Sequence, residues 1–180
     1  LQAPKDTKKK PVDVQAAKQI KLTFGQDADF DYIQSEAGKW TLSDNALMGT
    51  GNKCLARIKA TSPVYLTGTV RFQQMNAAIS ITLGENKMML NLPGKSIYFI
   101  DTDKTRKEVK FDFQINTWYP FEIVVDQANK KVHFKIHTVS SEGVCDIIHN
   151  DIVFSVDQNN TVFFDNIGVK AQEIPLAIVP

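Results

Sequence analysis

Apolar and polar residues alternate along most of this chain, most clearly between Trp118 and Val139, where it reads WYPFEIVVDQANKKVHFKIHTV. Phe121, Ile123 and Val125 share one face of the first run, and Val132, Phe134 and Ile136 share one face of the second. Asp126 to Lys131 is a polar break carrying Asn129 and two lysines. A period of two with one apolar face predicts a β-hairpin, wet on one side and buried on the other.

The same period recurs on both sides of this hairpin. Ile20, Leu22 and Phe24 alternate with Lys21 and Thr23. Gly25 to Gly38 is loop-like and acidic. Trp40 and Leu42 then lead through a Ser43–Asp44–Asn45 turn to Ala46 and Met48, a short hairpin. Cys54, Ala56 and Ile58 form one face, and Val64, Leu66, Val70 and Phe72 another. Ile79 to Leu83, Met88 to Leu92 and Ile97 to Phe99 follow, separated by turns at Gly84–Asn86 and Pro93–Gly94. A charged turn from Asp101 to Lys107 leads to Val109, Phe111 and Phe113. Beyond the hairpin, strands are predicted over 144–148, 152–156, 161–164 and 167–171. No window carries an apolar stripe at helical spacing over three turns, so helix is minor at most. About a dozen short strands, with turn signals roughly every ten residues, predict an all-β antiparallel sandwich or barrel.

Length and charge narrow this picture. A chain of 180 residues suits one domain, taken here as 20–174. Residues 1–19 read as a disordered basic tail or linker, because Lys5, Lys8, Lys9 and Lys10 stand between Pro4 and Pro11 with almost nothing aliphatic to bury. Residues 175–180 read as a short C-terminal tail. With 21 basic against 20 acidic residues, no excess positive charge is available to replace counterions on a phosphate backbone, so no nucleic-acid partner is expected. No apolar run reaches about 18 residues, so no transmembrane segment is expected. Nothing in the pattern sets an oligomeric state.

Three pieces resemble the concanavalin A-like (laminin G-like) jelly-roll superfamily. They are Trp40 and Leu42 before an Asp–Asn turn and Leu47, the Trp118–Ile136 hairpin, and the closing VFFDNIGVKA from Val162 to Ala171. The likeness spans roughly Lys21 to Gln172 and is one of pattern. It implies a two-sheet antiparallel jelly-roll β-sandwich. It also implies the company of lectins, carbohydrate-binding modules, adhesion domains, glucanases and the 3-keto-disaccharide hydrolase-type domains of secreted bacterial proteins. Glucanases of this kind carry Glu-x-Asp-x-x-Glu on one strand. Here Glu122 is followed by Val124 and Gln127 at those places, which removes that catalytic set. With the fold, the two cysteines suggest an exported protein, secreted, periplasmic or at the cell surface. Cys54 and Cys145 then have two readings, a disulfide across the sandwich or two buried free thiols. Neither has a second Cys or a His at zinc-ligand spacing.

A sugar site on a sandwich needs an aromatic ring to stack on and polar groups to bond hydroxyls. The outward strand residues supply two candidate sets. Arg71, Ser80, Thr82, Met89, Asn91 and Tyr98 could present one polar face, with Tyr98 stacking and Asn91 and Arg71 bonding hydroxyls. Glu122, His133, Lys135 and His137 form a second. The competing reading is that every half-exposed strand has polar residues outside. His133 and His137 lie four apart, about 13 Å by strand rise, too far to share a metal. Asp27, Asp29 and Asp31 alternate like the start of a calcium loop, but Tyr32 stands in place of the turn glycine and Gly38 in place of the bidentate glutamate. The resemblance offers another calcium arrangement, in which Asp165 of the last strand joins groups near the first. Apart from that structural calcium no cofactor is expected. Trp40 and Trp118 both read more readily as core or edge plugs than as platforms.

These observations order the functions. First comes an exported, non-catalytic module binding a polysaccharide or other glycan. A glycoside or keto-glycoside hydrolase is second, and a protein-interaction domain third. No catalytic residues can be named from the sequence.

Overall fold

The structure, a computed structural model, describes residues 12–14 and 19–172. The strands are β1 (Gln19–Leu22), β2 (Ile33–Ser43), β3 (Ala46–Ile58), β4 (Pro63–Phe72), β5 (Ala78–Leu83), β6 (Asn86–Asn91) and β7 (Ser96–Ile100). They continue with β8 (Arg106–Lys110), β9 (Tyr119–Asp126), β10 (Lys131–Ile136), β11 (Val139–Val144), β12 (Ile152–Val156) and β13 (Asn160–Ala171). Among the described residues every pairing is antiparallel.

The hydrogen-bonded path runs β11-β10-β9-β4-β13-β3-β12-β5-β6-β7-β8 and folds into two layers at β3. The first half of β3, Leu47 to Gly51, pairs with β13, whereas its second half, Cys54 to Ile58, pairs with β12. β2 follows it through both layers, with register shifts between Ser35 and Lys39. Bulges of this kind bend a strand enough to change sheets. Gly38 sits there at φ +74, and a Cβ on it would lie 2.7 Å from Cys54 Sγ. That corner therefore requires glycine. The first layer is β11-β10-β9-β4-β13, with β1 on one half of the outer edge of β13 and β3 on the other. The second layer is β3-β12-β5-β6-β7-β8.

Rings from the two layers meet in the core. Phe99 of β7 lies 5.5 Å from Phe134 of β10, and Phe154 of β12 stacks 4.4 Å from Phe164 of β13. The Phe121, Ile123 and Val125 face and the Val132, Phe134 and Ile136 face are both buried, as the alternation predicts. The Asp44–Asn45 turn has both residues at positive φ, 54 and 56, the two-residue form whose twist suits a hairpin.

Several local expectations are corrected. The strand placed at 144–148 ends at Val144, and residues 139–144 pair with β10 instead. Phe111 and Phe113 follow β8 rather than lying in it. Gly25–Gly38 holds a 3-10 turn at Asp27–Tyr32 and the start of β2. The strands at 161–164 and 167–171 are one strand, β13, interrupted by a bulge at Asn166. Within the stretch read as a tail, Val14 is fully buried and its N–H bonds Lys59 O at 3.1 Å, so the packed body reaches back to it. Residues 1–11 and 15–18 of that stretch, and the tail at 175–180, lie outside the described residues.

Cys54 and Cys145 are both buried free thiols, not a disulfide. Register gives the reason. Cys54 pairs with Val156, which faces Ile79, which faces Leu90, so it lies three strands from β6. Cys145 instead meets Asn86 at 3.5 Å, four residues along β6 from Leu90. The two are separated by roughly 13 Å along the strands and about 14 Å across them, far beyond the reach of one S–S bond.

Candidate functional site

The outward faces of β4, β9, β10 and β11 together carry a polar surface with two depressions in it. On β9 the inward residues are Tyr119, Phe121, Ile123 and Val125, so Trp118, Pro120, Glu122 and Val124 point out. Register brings Thr67 of β4 and Lys135 of β10 to either side of Glu122, and Ser140 of β11 beyond Lys135. His133 stands opposite Glu142. A depression of about 340 Å³ is lined by Glu122, His133, Lys135, Ser140 and Glu142. A second, of about 220 Å³, is lined by Thr67, Pro120, Glu122, Lys135 and His137. Glu122 and Lys135 border both, so the two form one trough running across the strands. A further depression, of about 390 Å³, lies apart from these, near Cys145, Asp146 and Ile147.

Within the trough Glu142 is held by Lys131 Nζ at 2.8 Å and by His133 Nδ1 at 3.4 Å. The Lys131 hydrogen bond holds its carboxyl below the usual glutamate range, and the same contact pushes Lys131 up. Glu122 makes no hydrogen bond or ion pair among the described residues and is the open carboxylate of the trough. From Glu122, Glu142 is two strands across and two residues along, roughly 12 Å between Cα atoms. Its carboxylate is drawn further away, towards Lys131. Glycosidase carboxyls normally stand about 5–9.5 Å apart across the bond they cut.

Arg71 lies on this same outward face, near Trp118. Its guanidinium sits 4.9 Å from the Trp118 ring centroid and 4.3 Å from that of Phe163. Phe163 points away from the core between Val162 and Phe164, yet is 3% exposed because Arg71 covers it. Trp118 is 38% exposed, which corrects its reading as a plug. Trp40 is a plug: buried, with Nε1 donating to Ala37 O at 3.1 Å. The signal that could have found Trp118 was the parity of the hairpin, since it alternates with Tyr119.

The first candidate set is therefore divided. Thr82, Asn91 and Tyr98 point outward from the second layer, away from Arg71. Asn91 Oδ1 accepts the Gly94 N–H at 3.2 Å and so fixes the β6–β7 turn. Tyr98 is covered by Arg106, 3.8 Å from its ring centroid, and its hydroxyl is held low by Ser96 and then Arg106. Glu122, His133 and Lys135 are brought together as expected, with Arg71 added to their face.

The calcium arrangement is not assembled. Asp29 Oδ2 accepts the N–H groups of Thr23 and Phe24 at 3.2 and 3.0 Å, locking the end of β1. Asp165 accepts the Asn166 N–H at 2.7 Å, and burial pushes its carboxyl up. Asp27 is exposed. Among the described residues no three His, Cys, Asp or Glu side chains gather as a metal site.

No protein-family model matches the sequence, and no curated protein matches it. Solved structures do resemble the fold. The carbohydrate-binding module CBM66 from Bacillus subtilis has a TM-score of 0.61 at 8% identity, over 78% of this chain and 96% of its own. The Crh5 transglycosylase has 0.70 at 10%, over 92% and 88%. The Bacillus licheniformis β-glucanase has 0.62 at 7%, over 86% and 98%. At these identities the likeness is one of fold, and the fold is the concanavalin A-like jelly roll.

Proposed function

We propose that the protein is a non-catalytic carbohydrate-binding module that holds a polysaccharide along the outward face of β4, β9 and β10. One observation carries this reading: an exposed tryptophan, Trp118, stands on the same outward face as the trough, two residues before Pro120 of its lining, and the trough contains an open carboxylate, Glu122. A sugar offers C–H groups to the ring and hydroxyls to Glu122, Lys135 and the neighbouring histidines. The fold, met in sugar-binding and sugar-cleaving proteins alike, supports a carbohydrate ligand. Carboxylate spacing favours binding over cleavage, because among the described residues the acid that shares the trough with Glu122, Glu142, stands too far across the strands to flank one bond with it. A flat apolar surface would have favoured a protein partner, and the trough is polar. With a polysaccharide ligand the working place is outside the cell membrane, as a secreted, periplasmic or surface protein.

The test is a panel of plant, algal and microbial polysaccharides, assayed for both retention and hydrolysis. Saturable binding without release of reducing ends is expected, and Trp118→Ala should weaken it about tenfold, a loss of roughly 1.4 kcal/mol. Turnover would support the hydrolase instead. Silence across the panel would leave the interaction domain.

A further inference from the structure

Arg71 differs from the other arginines of the described residues. Arg57 is paired with Glu36 at 2.6 Å and Asp151 at 3.2 Å, and Arg106 lies over Tyr98. Arg71 is half-buried, its Nε–H is sealed from water with no acceptor, and no hydrogen bond or ion pair reaches its guanidinium among the described residues. Asp165, diagonally across on β13, accepts the Asn166 N–H through Oδ1 and forms no ion pair with Arg71. A partly desolvated charge without a counterion is unfavourable, and the unfavourable term is relieved when an anion arrives. The rings of Trp118 and Phe163 flank the guanidinium and hold it in place. Its terminal N–H groups are then a pre-oriented fork, which matches a planar carboxylate with two parallel hydrogen bonds. The exposed ring of Trp118 lies beside that fork, where the sugar bearing the carboxylate would stack.

Resting on the binding-module reading, we infer that the Arg71–Trp118 pair, on the same face as the trough, takes the carboxylate of an acidic sugar, and that the ligand is a uronic-acid polysaccharide. A second positive group stands further along. Lys135 faces Glu122 and, beyond it, Thr67, four residues from Arg71 on β4. That puts it roughly 16 Å from Arg71, counting strand rise and strand spacing. A polymer that repeats its carboxylate reaches both cations, whereas a single sugar reaches one. Tetrahedral oxyanions such as sulfate pair with the same fork, so a sulfated polymer is the competing ligand that the experiment must separate from a carboxylated one.

The experiment is titration calorimetry of the full chain with polygalacturonate, dextran sulfate, dextran and monomeric galacturonate. Polygalacturonate should bind best, more tightly than its monomer, and should weaken as salt is raised. Arg71→Gln should lose about tenfold or more, and Arg71→Lys should recover only part of that because it restores charge without the fork. Thermal melts show whether the variants fold, and the salt series on the unmodified protein stands if they do not. Preference for dextran, with binding unmoved by Arg71→Gln or by salt, would overturn the acidic-sugar inference and leave the module reading intact. Dextran sulfate bound in place of polygalacturonate would overturn it as well. If these polymers and the wider neutral panel all fail to bind, the module reading falls and this inference with it.

Discussion

Two tryptophans of similar sequence setting have opposite fates, decided by which side of a strand each one takes. Trp40 fills the space over Gly49, where a Cβ would come within 2.8 Å of its ring, and lies tilted against Phe164 with ring centroids 6.2 Å apart. Trp118 alternates with Tyr119 and stands out from the sheet. Trp40→Ala should therefore cost about 3–5 kcal/mol in a urea melt, and Trp118→Ala less than about 1 kcal/mol. Equal losses would show that Trp118 belongs to the core after all. Charge within the trough is also a local matter. Glu142 titrates below an ordinary glutamate, chiefly through the Lys131 hydrogen bond. With the folded value depressed, its contribution to stability is present above the unfolded value and is lost as pH falls through the folded one. Lys131→Ala should move the Glu142 carboxyl resonance to a higher midpoint in an NMR titration. An unmoved midpoint would assign the shift to another group.

At the level of single elements, legibility followed burial. The β9–β10 hairpin was readable because both of its strands bury every second residue, and the break from Asp126 to Lys131 is polar but for Ala128. Phe134 is 2% exposed and meets Phe99 across the layers, so Phe134→Ala should cost roughly 3–5 kcal/mol by denaturant unfolding. A loss under about 1 kcal/mol would mean that the pocket collapses fully around the smaller side chain. β11 was not readable, for the complementary reason. Its sequence VSSEGV buries no residue fully, being an edge strand held by pairing to β10. The apolar residues just after it, Cys145 and Ile148, pack on the core from irregular chain and drew the predicted strand to the wrong place. β13 read as two strands because Asn166, at φ 51, breaks the alternation by one position at a bulge.

At the scale of the molecule, alternation tells which side of a strand a residue takes but not which layer the strand joins. Arg71 was given the correct parity and the wrong sheet. β4 and β5 are neighbours in sequence, yet β4 pairs with β9 and β13 while β5 pairs with β6 and β12. The chain crosses between layers over residues 73–77, and no local pattern there announces it. One carboxylate is central to the contact between the layers at their far edges. Asp101, after β7, accepts N–H groups from Asp103 and Thr105 through Oδ1 and from Val144, on β11, through Oδ2, at 3.0, 3.0 and 2.9 Å. Thr102 returns the contact by donating its hydroxyl to Val144 O at 2.9 Å. Gly143 must be small there, since a Cβ would come within 2.6 Å of Asp101 Cβ. Removing the carboxylate strands three donors at once, two of them in a loop whose other turn contacts are the backbone bonds Asp101 N–H to Thr105 O and Lys104 N–H to Asp101 O. Asp101→Ala should therefore cost about 2–4 kcal/mol and speed amide exchange at Asp103, Thr105 and Val144 together. Faster exchange at Val144 alone would show that the loop holds its shape without the edge. Faster exchange at Asp103 and Thr105 alone would show that β11 is kept in place by β10, and that the second layer is free to swing from it.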